Sequence, residues 1–225
     1  MIDLILDDCM NVMKDYEDNH FDLAIVDPPY GGSVDSGGYV DENFNGHLSG
    51  GRLKKYKTER TGRTWAAKYG KQIKSWDLAP NKEYFDELFR VSKNQIIWGG
   101  NYFYLPPNRC FLIWRKLTIS EKFTMAMCEY AWSSFNQNAK WIEIAPQDKD
   151  RFHPTQKPVK LYEWILHNYS EKGQKILDTH LGSGSIAIAC HYFGVDLVGV
   201  EIDEEYYNKA KHRVEELTKQ KSLFE

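Results

Sequence analysis

The chain has 225 residues, of which 42% are hydrophobic and 27% charged, a composition typical of soluble globular proteins. This length suffices for one large domain with a hydrophobic core, and no apolar run approaches the roughly 18 residues that a membrane span requires. The opening stretch MIDLIL is too short, and too soon followed by acidic residues, to be a signal peptide. The four cysteines show no C-x-x-C spacing, so neither a metal site nor a disulfide framework is expected. We therefore expect a cytoplasmic protein without a membrane partner, built as a single domain over residues 1–225.

The net charge of −3 is unevenly distributed along the chain. Residues 51–75 hold nine lysines and arginines and one glutamate, a local net charge of +8, which leaves −11 for the remainder. A compact basic stretch on an acidic body is the pattern expected for a polyanionic partner such as nucleic acid. A solvated loop whose cations have no specific role is the alternative that composition leaves open.

The chain begins with a strand–helix–strand pattern. The stretch IDLIL at 2–6 predicts a strand, and DCMNVMKDYED predicts a helix that begins near Asp8. The stretch FDLAIV at 21–26 predicts a second strand, and its apolar run is typical of a strand buried on both faces.

The tetrapeptide DPPY follows directly on the second predicted strand. Because Pro28 and Pro29 cannot donate hydrogen bonds to a sheet, the strand must end at Asp27. Asp27 then lies at the carboxyl end of a strand, the edge of an α/β sheet at which ligands bind, and Tyr30 follows on a stiff turn. A proline-rich turn with a surface acid is the simpler interpretation of the same residues.

The middle of the chain predicts a long loop and then a mixture of helices and strands. Residues 31–56 are rich in glycine, serine and asparagine and lead into the basic stretch. The stretch NKEYFDELFRVS at 81–92 predicts a helix capped by Asn81, whereas NQIIW, CFLIW and CEYAWSSF predict strands. The stretch PVKLYEWILHNYS predicts a helix with Pro158 in its first turn.

The last third has the clearest pattern. The stretch QKILD predicts a strand, GSGSIAIACHYF a glycine turn that enters a helix, and DLVGVEI a further strand. DEEYYNKAKHRVEELTKQ predicts a closing amphipathic helix. This alternation of strands and helices predicts an α/β protein whose parallel sheet has helices on both faces.

The turn between the strand QKILD and the next helix has the features of a cofactor site. The strand ends at Asp178, and Gly182 and Gly184 lie in the turn, where glycine permits a ligand to approach the backbone. Glu201 ends the following strand, 23 residues after Asp178, where a carboxylate can bind the hydroxyls of a ribose. A G-x-G alone is weak support, but its combination with both strands and both acids predicts a nucleotide-type cofactor.

Several of these stretches resemble the amino-group DNA methyltransferases, of the class in which the catalytic motif precedes the cofactor-binding motif. They are DPPY at 27–30, HPTQKP at 153–158 and LDTHLGSGS at 177–185, and LILDDCMNVMKD is similar to the family's opening. In the glycine motif, Thr179, His180 and Ser185 replace the usual Pro, Phe and Thr, and Asp7 replaces the glycine of the opening. The resemblance implies the Rossmann-like fold of S-adenosylmethionine-dependent methyltransferases, with a mostly parallel central sheet.

The resemblance also implies S-adenosylmethionine as the cofactor. Glu201 would hold its ribose, Asp8 its adenine amine with Cys9 alongside, and Lys157 its methionine carboxylate. The residues expected to bind the cofactor are Asp8, Cys9, Asp27, Lys157, Asp178, Gly182, Ser183, Gly184, Glu201 and Ile202.

The chemistry of amino methylation explains why DPPY is the expected catalytic motif. The exocyclic amine of adenine is a poor nucleophile because its lone pair is delocalised into the ring. Asp27 supplies one acceptor for its N–H bonds, and the resemblance implies that the Pro28 carbonyl supplies the other, on a corner stiffened by Pro29. Tyr30 can stack on a base that has left the duplex. Gly99 and the residues after it are expected to flank the pocket for that base.

The implied substrate is double-stranded DNA, and residues 31–75, which match no motif of the family, are the expected DNA-contacting insertion. The residues expected to bind DNA are Arg52, Lys54, Lys55, Lys57, Arg60, Arg63 and Lys68. Asp27 favours N6 of adenine over N4 of cytosine, because the family more often has Ser at this position for cytosine. An RNA target, a non-catalytic DNA-binding subunit that retains the cofactor pocket, a nicotinamide dehydrogenase and a homodimer are left open.

Overall fold

Eight strands form one sheet in the part of the chain that the computed structural model describes, residues 1–30, 79–121, 126–146, 151–153 and 155–219. The strands are β1 (Ile2–Leu6), β2 (Phe21–Val26), β3 (Ser92–Trp98), β4 (Phe111–Lys116), β5 (Cys128–Ser133), β6 (Lys140–Ile144), β7 (Lys175–Asp178) and β8 (Asp196–Glu201). The helices are α1 (Cys9–Lys14), α2 (Lys82–Val91), α3 (Val159–Tyr169), α4 (Ser185–Phe193) and α5 (Glu204–Thr218), and a short 3₁₀ turn covers Gly100–Tyr102.

Five neighbouring strands of the sheet run parallel, in the spatial order β1, β8, β7, β2, β3. Strand β5 pairs antiparallel with both β3 and β4, and β6 closes the sheet parallel to β4. The chain passes from β2 to its neighbour β3 on one side and from β7 to its neighbour β8 on the other. The strand order therefore reverses between β7 and β2, and in open α/β sheets ligands bind at the carboxyl edge beside such a point.

The apolar run of β2 is buried on both faces, as its sequence predicts. Leu23 and Ile25 belong to a core shared with α3, α4 and α5, whereas Ala24 and Val26 belong to a second core shared with α1 and α2. Successive side chains of a strand point to opposite faces, so the two cores lie on opposite sides of the sheet. The expected α/β fold, with a mostly parallel sheet and helices on both faces, is confirmed.

The helix ends follow local capping chemistry, with one difference from expectation. The side chain of Asn81 accepts a hydrogen bond from the Tyr84 backbone N–H at 3.1 Å, which confirms the predicted cap of α2. Pro158 has extended backbone (ψ 143°) and immediately precedes the first turn of α3 instead of lying within it. Strand β6 was not predicted; KWIEI is short and carries a lysine and a glutamate among its five residues.

The predicted DNA-contacting insertion at 31–75 lies outside the described residues. The same is true of the seven cationic side chains expected to bind DNA, Arg52, Lys54, Lys55, Lys57, Arg60, Arg63 and Lys68. Of the helices that the structure describes, none has the length and apolar character needed to cross a membrane.

Candidate active site

Acidic side chains follow or end four of the parallel strands at their carboxyl edge. Strand β1 is followed by Asp7 and Asp8, β8 ends in Glu201, β7 ends in Asp178, and β2 is followed by Asp27. Because β1, β8, β7 and β2 are consecutive in the sheet, these carboxylates form one row along its edge. Asp178 and Asp27 stand at the two strands between which the strand order reverses.

The DPPY corner holds both carboxylate oxygens of Asp27. The Tyr30 hydroxyl donates to Oδ1 at 2.6 Å, and the Lys157 ammonium donates to Oδ2. Asp27 is 14% exposed and Pro28 is buried, so the carboxylate lies in the crevice and the simpler interpretation of a surface acid is wrong. Since each carboxylate oxygen has two lone pairs, one acceptor position remains on each.

The loop after β3 packs directly on the Tyr30 ring. Gly99 has a φ of +66°, and a Cβ atom at this position would lie 2.1 Å from the ring of Tyr30. Tyr102 stacks on Tyr30 with ring centroids 4.9 Å apart and planes 18° apart, and 43% of Tyr102 is exposed. The space that Gly99 opens is therefore filled by Tyr30 of the DPPY motif, whose ring contacts both Gly99 and Tyr102.

The contacts of Lys157 lie at the DPPY corner. Besides Asp27, its Nζ lies 3.2 Å from Oε2 of Glu129, and Oε1 of Glu129 lies 2.5 Å from Nζ of Lys116. The expected contact of Lys157 with the methionine carboxylate stays a prediction. The sequence analysis missed Glu129 and Lys116; Glu129 is the one charged residue of the strand CEYAWS, whereas Lys116 follows Arg115 at the end of β4 and gives no such signal.

Electrostatics keep Lys157 and Glu129 charged although both are largely buried. Burial lowers the pKa of Lys157, but the carboxylates of Asp27 and Glu129 outweigh it, and the pKa lies above its ordinary value. Burial likewise raises the pKa of Glu129, but Lys157 and Lys116 outweigh it and the pKa lies below the usual range. The two groups form an ion pair at neutral pH.

The glycine turn and the acid at the end of β8 are joined by hydrogen bonds. The backbone N–H of Gly182 donates to Oε2 of Glu201 at 2.8 Å, and that of Asp203 donates to Oε1 at 3.0 Å. Gly182 has a φ of +53°, a conformation that favours glycine. Burial raises the pKa of Glu201, and each of its oxygens retains a lone pair that can accept from a ribose hydroxyl.

Helix α5 holds the other side of the turn. Nη1 of Arg213 donates to the Ser183 carbonyl at 2.9 Å and to Oγ of Ser185 at 3.0 Å. A Cβ atom at Gly184 would lie 3.0 Å from the side chain of Val214, so α5 packs closely against the glycine backbone. Arg213 was not identified from the sequence, where it reads as one of several charges on an amphipathic helix.

The HPTQKP motif contacts both halves of the site. The His153 ring packs on Tyr206 with centroids 4.4 Å apart, and a Cβ atom at Gly182 would lie 3.3 Å from the same ring. Burial lowers the pKa of His153 to about 3, so the imidazole is neutral and supports the turn. Four residues on, Lys157 binds Asp27, and one short motif therefore links the glycine turn to the DPPY corner.

The unusual residues of the glycine motif form a hydrogen-bond chain. Oγ1 of Thr179 lies 2.6 Å from the Tyr84 hydroxyl and 2.9 Å from Nδ1 of His180. Burial lowers the pKa of His180 to about 4, and its backbone N–H donates to Asp178 at 3.0 Å. Burial raises the pKa of Asp178 to about 8, because the carboxyl is 3% exposed and other carboxylates are nearby.

The remaining expected cofactor residues lie at the ends of β1 and β8. Asp8 caps α1, its Oδ1 accepting from the Met10 backbone N–H at 2.8 Å. Burial, with Asp8 adding to it, raises the pKa of Cys9 to about 12, so the thiol stays protonated. Ile202 follows Glu201 and is 61% exposed.

The chemistry of this edge fits S-adenosylmethionine. Ribose hydroxyls donate to a strand-end carboxylate such as Glu201, and the sulfonium and ammonium groups are cations that suit a row of acids. Asp178 supports this fit most directly. Burial raises its pKa, and a cation bound beside it would lower that pKa and favour the charged carboxylate.

The glycine turn of this mostly parallel sheet is hydrogen-bonded to the acid that ends the next strand, an arrangement typical of Rossmann-like folds that bind nucleotide cofactors. The chain belongs to the family described as DNA methylase, whose model N6_N4_Mtase matches residues 53–212, more than half of the chain. The membership of the amino-group DNA methyltransferase family that the motifs implied is thereby confirmed, and with it S-adenosylmethionine as the cofactor of the family. The class in which DPPY precedes the glycine motif stays a prediction.

Proteins similar in sequence or in structure cover nearly the whole chain. The type II methyltransferase M.HpaI of Haemophilus parainfluenzae is 23% identical over 242 residues, which cover 94% of this chain and 74% of that protein. The M1.HpyAVI–SAM complex has a TM-score of 0.56 at 20% identity and covers 95% of this chain and 100% of its own. The cytosine-N4-specific PvuII DNA methyltransferase has a TM-score of 0.60 at 11% identity, with 97% and 90% covered. The two structural likenesses show the fold, which does not distinguish one target base from another.

Proposed function

We propose that this DNA methylase transfers a methyl group from S-adenosylmethionine to the N6 amine of adenine in double-stranded DNA. The observation that carries the proposal is the corner after β2, where the Tyr30 hydroxyl and the Asp27 carboxylate are 2.6 Å apart across Pro28 and Pro29. This corner adjoins Asp178 at the reversal of strand order, so an amine acceptor lies beside the row of acids that suits the cofactor.

The corner can activate a weak nucleophile. After binding Tyr30 and Lys157, Asp27 retains an acceptor position for one N–H bond of the target amine. The carbonyl of Pro28 accepts the second N–H bond, and two acceptors draw the nitrogen toward tetrahedral geometry and free its lone pair. Asp27 is also the neighbouring base for the proton that the amine loses. Alignment of the reacting atoms can contribute roughly 7–11 kcal/mol.

Tyr30 is the proposed platform for the target base. An adenine inside a duplex cannot reach a largely buried carboxylate, so the base must leave the stack. Stacking of a base on an aromatic side chain is worth about 1–3 kcal/mol. Because Gly99 packs on the Tyr30 ring and Asp27 holds its hydroxyl, the ring and the carboxylate meet the base as one unit. The base would stack on the ring in place of the exposed Tyr102, which stacks there in this structure.

The other acids hold the cofactor. When bound, S-adenosylmethionine supplies a methyl group that its sulfonium activates for direct transfer. Glu201 would bind the ribose and Asp8 the adenine amine through its second oxygen, with Cys9 and Ile202 alongside. Asp178, Gly182, Ser183 and Gly184 would line the turn.

Two rivals predict different outcomes. Methylation of cytosine N4 asks for the same two acceptors, and the cytosine-N4-specific PvuII enzyme has the same fold. Aspartate at position 27 supports adenine as the target base, because the family more often has serine at this position in the enzymes that methylate cytosine. A non-catalytic DNA-binding subunit would have no need for an Asp27 side chain held by both Tyr30 and Lys157.

The deciding experiment identifies the product. The protein is incubated with isotopically labelled S-adenosylmethionine and duplex DNA, and the nucleosides are separated and analysed by mass spectrometry. The proposal expects label in N6-methyladenine. Label in N4-methylcytosine would establish the rival chemistry, and intact DNA and cofactor binding without any labelled nucleoside would establish the non-catalytic subunit.

We further propose that the basic stretch binds the duplex backbone. Replacing Lys54, Lys55 and Lys57 by glutamine should weaken DNA binding and reduce the slope of log K against log salt by about 0.9 for each phosphate that the protein no longer neutralises. The measurement is a fluorescence titration at several salt concentrations. An unchanged slope would mean that these cations do not touch phosphates.

A further inference from the structure

The ion pair of Asp27 and Lys157 continues into the protein as a longer row. Oε2 of Glu129 lies 3.2 Å from Nζ of Lys157, and Oε1 lies 2.5 Å from Nζ of Lys116. The exposed fractions of Asp27, Lys157, Glu129 and Lys116 are 14%, 3%, 25% and 8%. These four alternating charges, which we call the charge ladder, carry no net charge.

Two tryptophans fix the lysines of the charge ladder. The ammonium of Lys157 lies 5.1 Å from the ring centroid of Trp98, and that of Lys116 lies 5.3 Å from that of Trp114. The two rings meet edge to face with centroids 6.4 Å apart, and both are at most 2% exposed. Because the rings belong to β3 and β4 and Glu129 belongs to β5 between them, three adjacent strands hold the ladder in place.

We propose that Glu129 is a positioning residue for methyl transfer, which holds the Lys157 ammonium against Oδ2 of Asp27. The Tyr30 hydroxyl holds the other oxygen, so the carboxylate has one orientation when the target amine arrives. Lys116 binds the second oxygen of Glu129 and keeps it from turning away. This inference rests on the proposed role of Asp27 as acceptor of an amine N–H.

Neutralising Glu129 should change the protonation of Lys157. Burial lowers the pKa of a lysine, and a carboxylate within about 4–6 Å shifts it upward by about 1–3 units. With Glu129 neutral, the pKa of Lys157 falls and the pair with Asp27 is lost at a lower pH. Outside the ladder itself, the titratable groups that interact with its members are Tyr30, Tyr84, His153, Tyr162 and Asp178.

The test compares Glu129→Gln with a matched control, Glu143→Gln. Glu143 pairs with Arg115, which precedes Lys116 on β4, but this pair is on the surface and outside the ladder. Single-turnover methyl transfer is measured at saturating DNA and cofactor between pH 6 and 10. The wild type and E143Q should keep their rates to the alkaline end, whereas the alkaline limb of E129Q should move down by about 1–3 pH units.

Two further measurements separate positioning from mere structure. Glu129→Asp keeps the charge, and its alkaline limb should lie closer to the wild type than that of E129Q. In protein labelled with ¹⁵N-lysine, the Lys157 ammonium resonance should titrate at a lower pH in E129Q than in the wild type. If E129Q does not fold, the double variant Glu129→Gln, Lys116→Met, which removes a neutral pair, allows the same titration.

The outcomes are distinct. A loss of rate that is the same at every pH in E129Q and E129D, or an unchanged titration of Lys157, would overturn the proposal. A wild-type product on cytosine, or no product, would instead contradict the proposed function. The Lys157 titration needs no turnover, so it tests the charge ladder in either case.

Discussion

Asp27 and Tyr30 are joined by a hydrogen bond of 2.6 Å across two prolines, so the acid and the ring of the DPPY motif form one rigid unit. Each proline fixes its own φ near −65° and leaves the corner little freedom. The bond also explains the spacing, because a tyrosine three positions after the acid can return its hydroxyl to the carboxylate. A change in either residue should therefore disturb both the amine acceptor and the stacking platform.

Replacing Asp27 by asparagine should reduce methyl transfer about 10²–10⁴-fold, because an amide is a weaker acceptor and cannot take up the surplus proton. The dissociation constant of the cofactor should change by less than about tenfold, which is the upper range for the loss of one neutral hydrogen bond. Single-turnover rates and calorimetric titrations measure the two quantities. Asp22→Asn is the control, since Asp22 lies near the start of β2, the strand that Asp27 follows, and pairs with Lys93 away from the corner. Retained turnover in D27N would remove Asp27 from the mechanism.

Replacing Gly99 by alanine should displace the Tyr30 ring, because the new Cβ atom would lie 2.1 Å from it. The rate of methyl transfer should fall at least about tenfold, the equivalent of roughly 1.4 kcal/mol in the barrier. Gly194→Ala is a matched control, with a φ of +84° and open space around its Cβ position. It carries the same cost of backbone strain without the clash. Equal rates in the two variants would show that the contact with Tyr30 is unimportant.

Replacing Glu201 by glutamine should weaken cofactor binding at least about tenfold. The carboxylate accepts hydrogen bonds from the backbone N–H groups of Gly182 and Asp203, and the amide NH₂ group of glutamine cannot accept one of them. The affinity for DNA without cofactor should not change. Isothermal calorimetry and a DNA-binding titration measure the two affinities, with the exposed Glu204 changed to Gln as control. Unaltered cofactor affinity would exclude Glu201 from that site.

Asp178 should make the free protein less stable as pH rises. Its pKa of about 8 in the folded protein exceeds the ordinary value of 3.8, so the folded state binds the proton more tightly than the unfolded chain does. This contribution to stability is present below about pH 4 and is lost as pH rises to about 8. Between these limits, the free energy of unfolding of the wild type should fall relative to that of Asp178→Asn by up to about 1.4 kcal/mol per pH unit.

Urea denaturation at pH 5, 7 and 9 measures this dependence, without cofactor. Asp86→Asn is the control, because Asp86 is exposed and paired with Lys82 on the surface of α2. The difference between D178N and the wild type should grow with pH, and that between D86N and the wild type should stay constant. A constant difference for D178N would mean that Asp178 is already ionised in the folded protein.

Local patterns were sufficient for most of the fold and for half of the site. The apolar run of β2 and the cap at Asn81 are properties of consecutive residues, and they predicted β2 and α2. Asp27, Asp178 and Glu201 could be assigned to one site because the carboxyl ends of parallel strands meet at the same edge. This inference needs the strand ends and their direction but no distances.

Partners that are distant in the chain were not accessible in the same way. Lys157 binds Asp27 across 130 positions, and it meets Glu129 only because β5 runs antiparallel between β3 and β4. The same strand order places Lys116 beside Glu129, so that its side chain is buried, whereas a lysine in a short strand is ordinarily exposed to solvent. The sequence motifs identify the candidate functional residues, because residue type and spacing are properties of consecutive residues. Which charges neutralise them depends on the order of the strands, and that order follows from how the whole sheet buries its two faces.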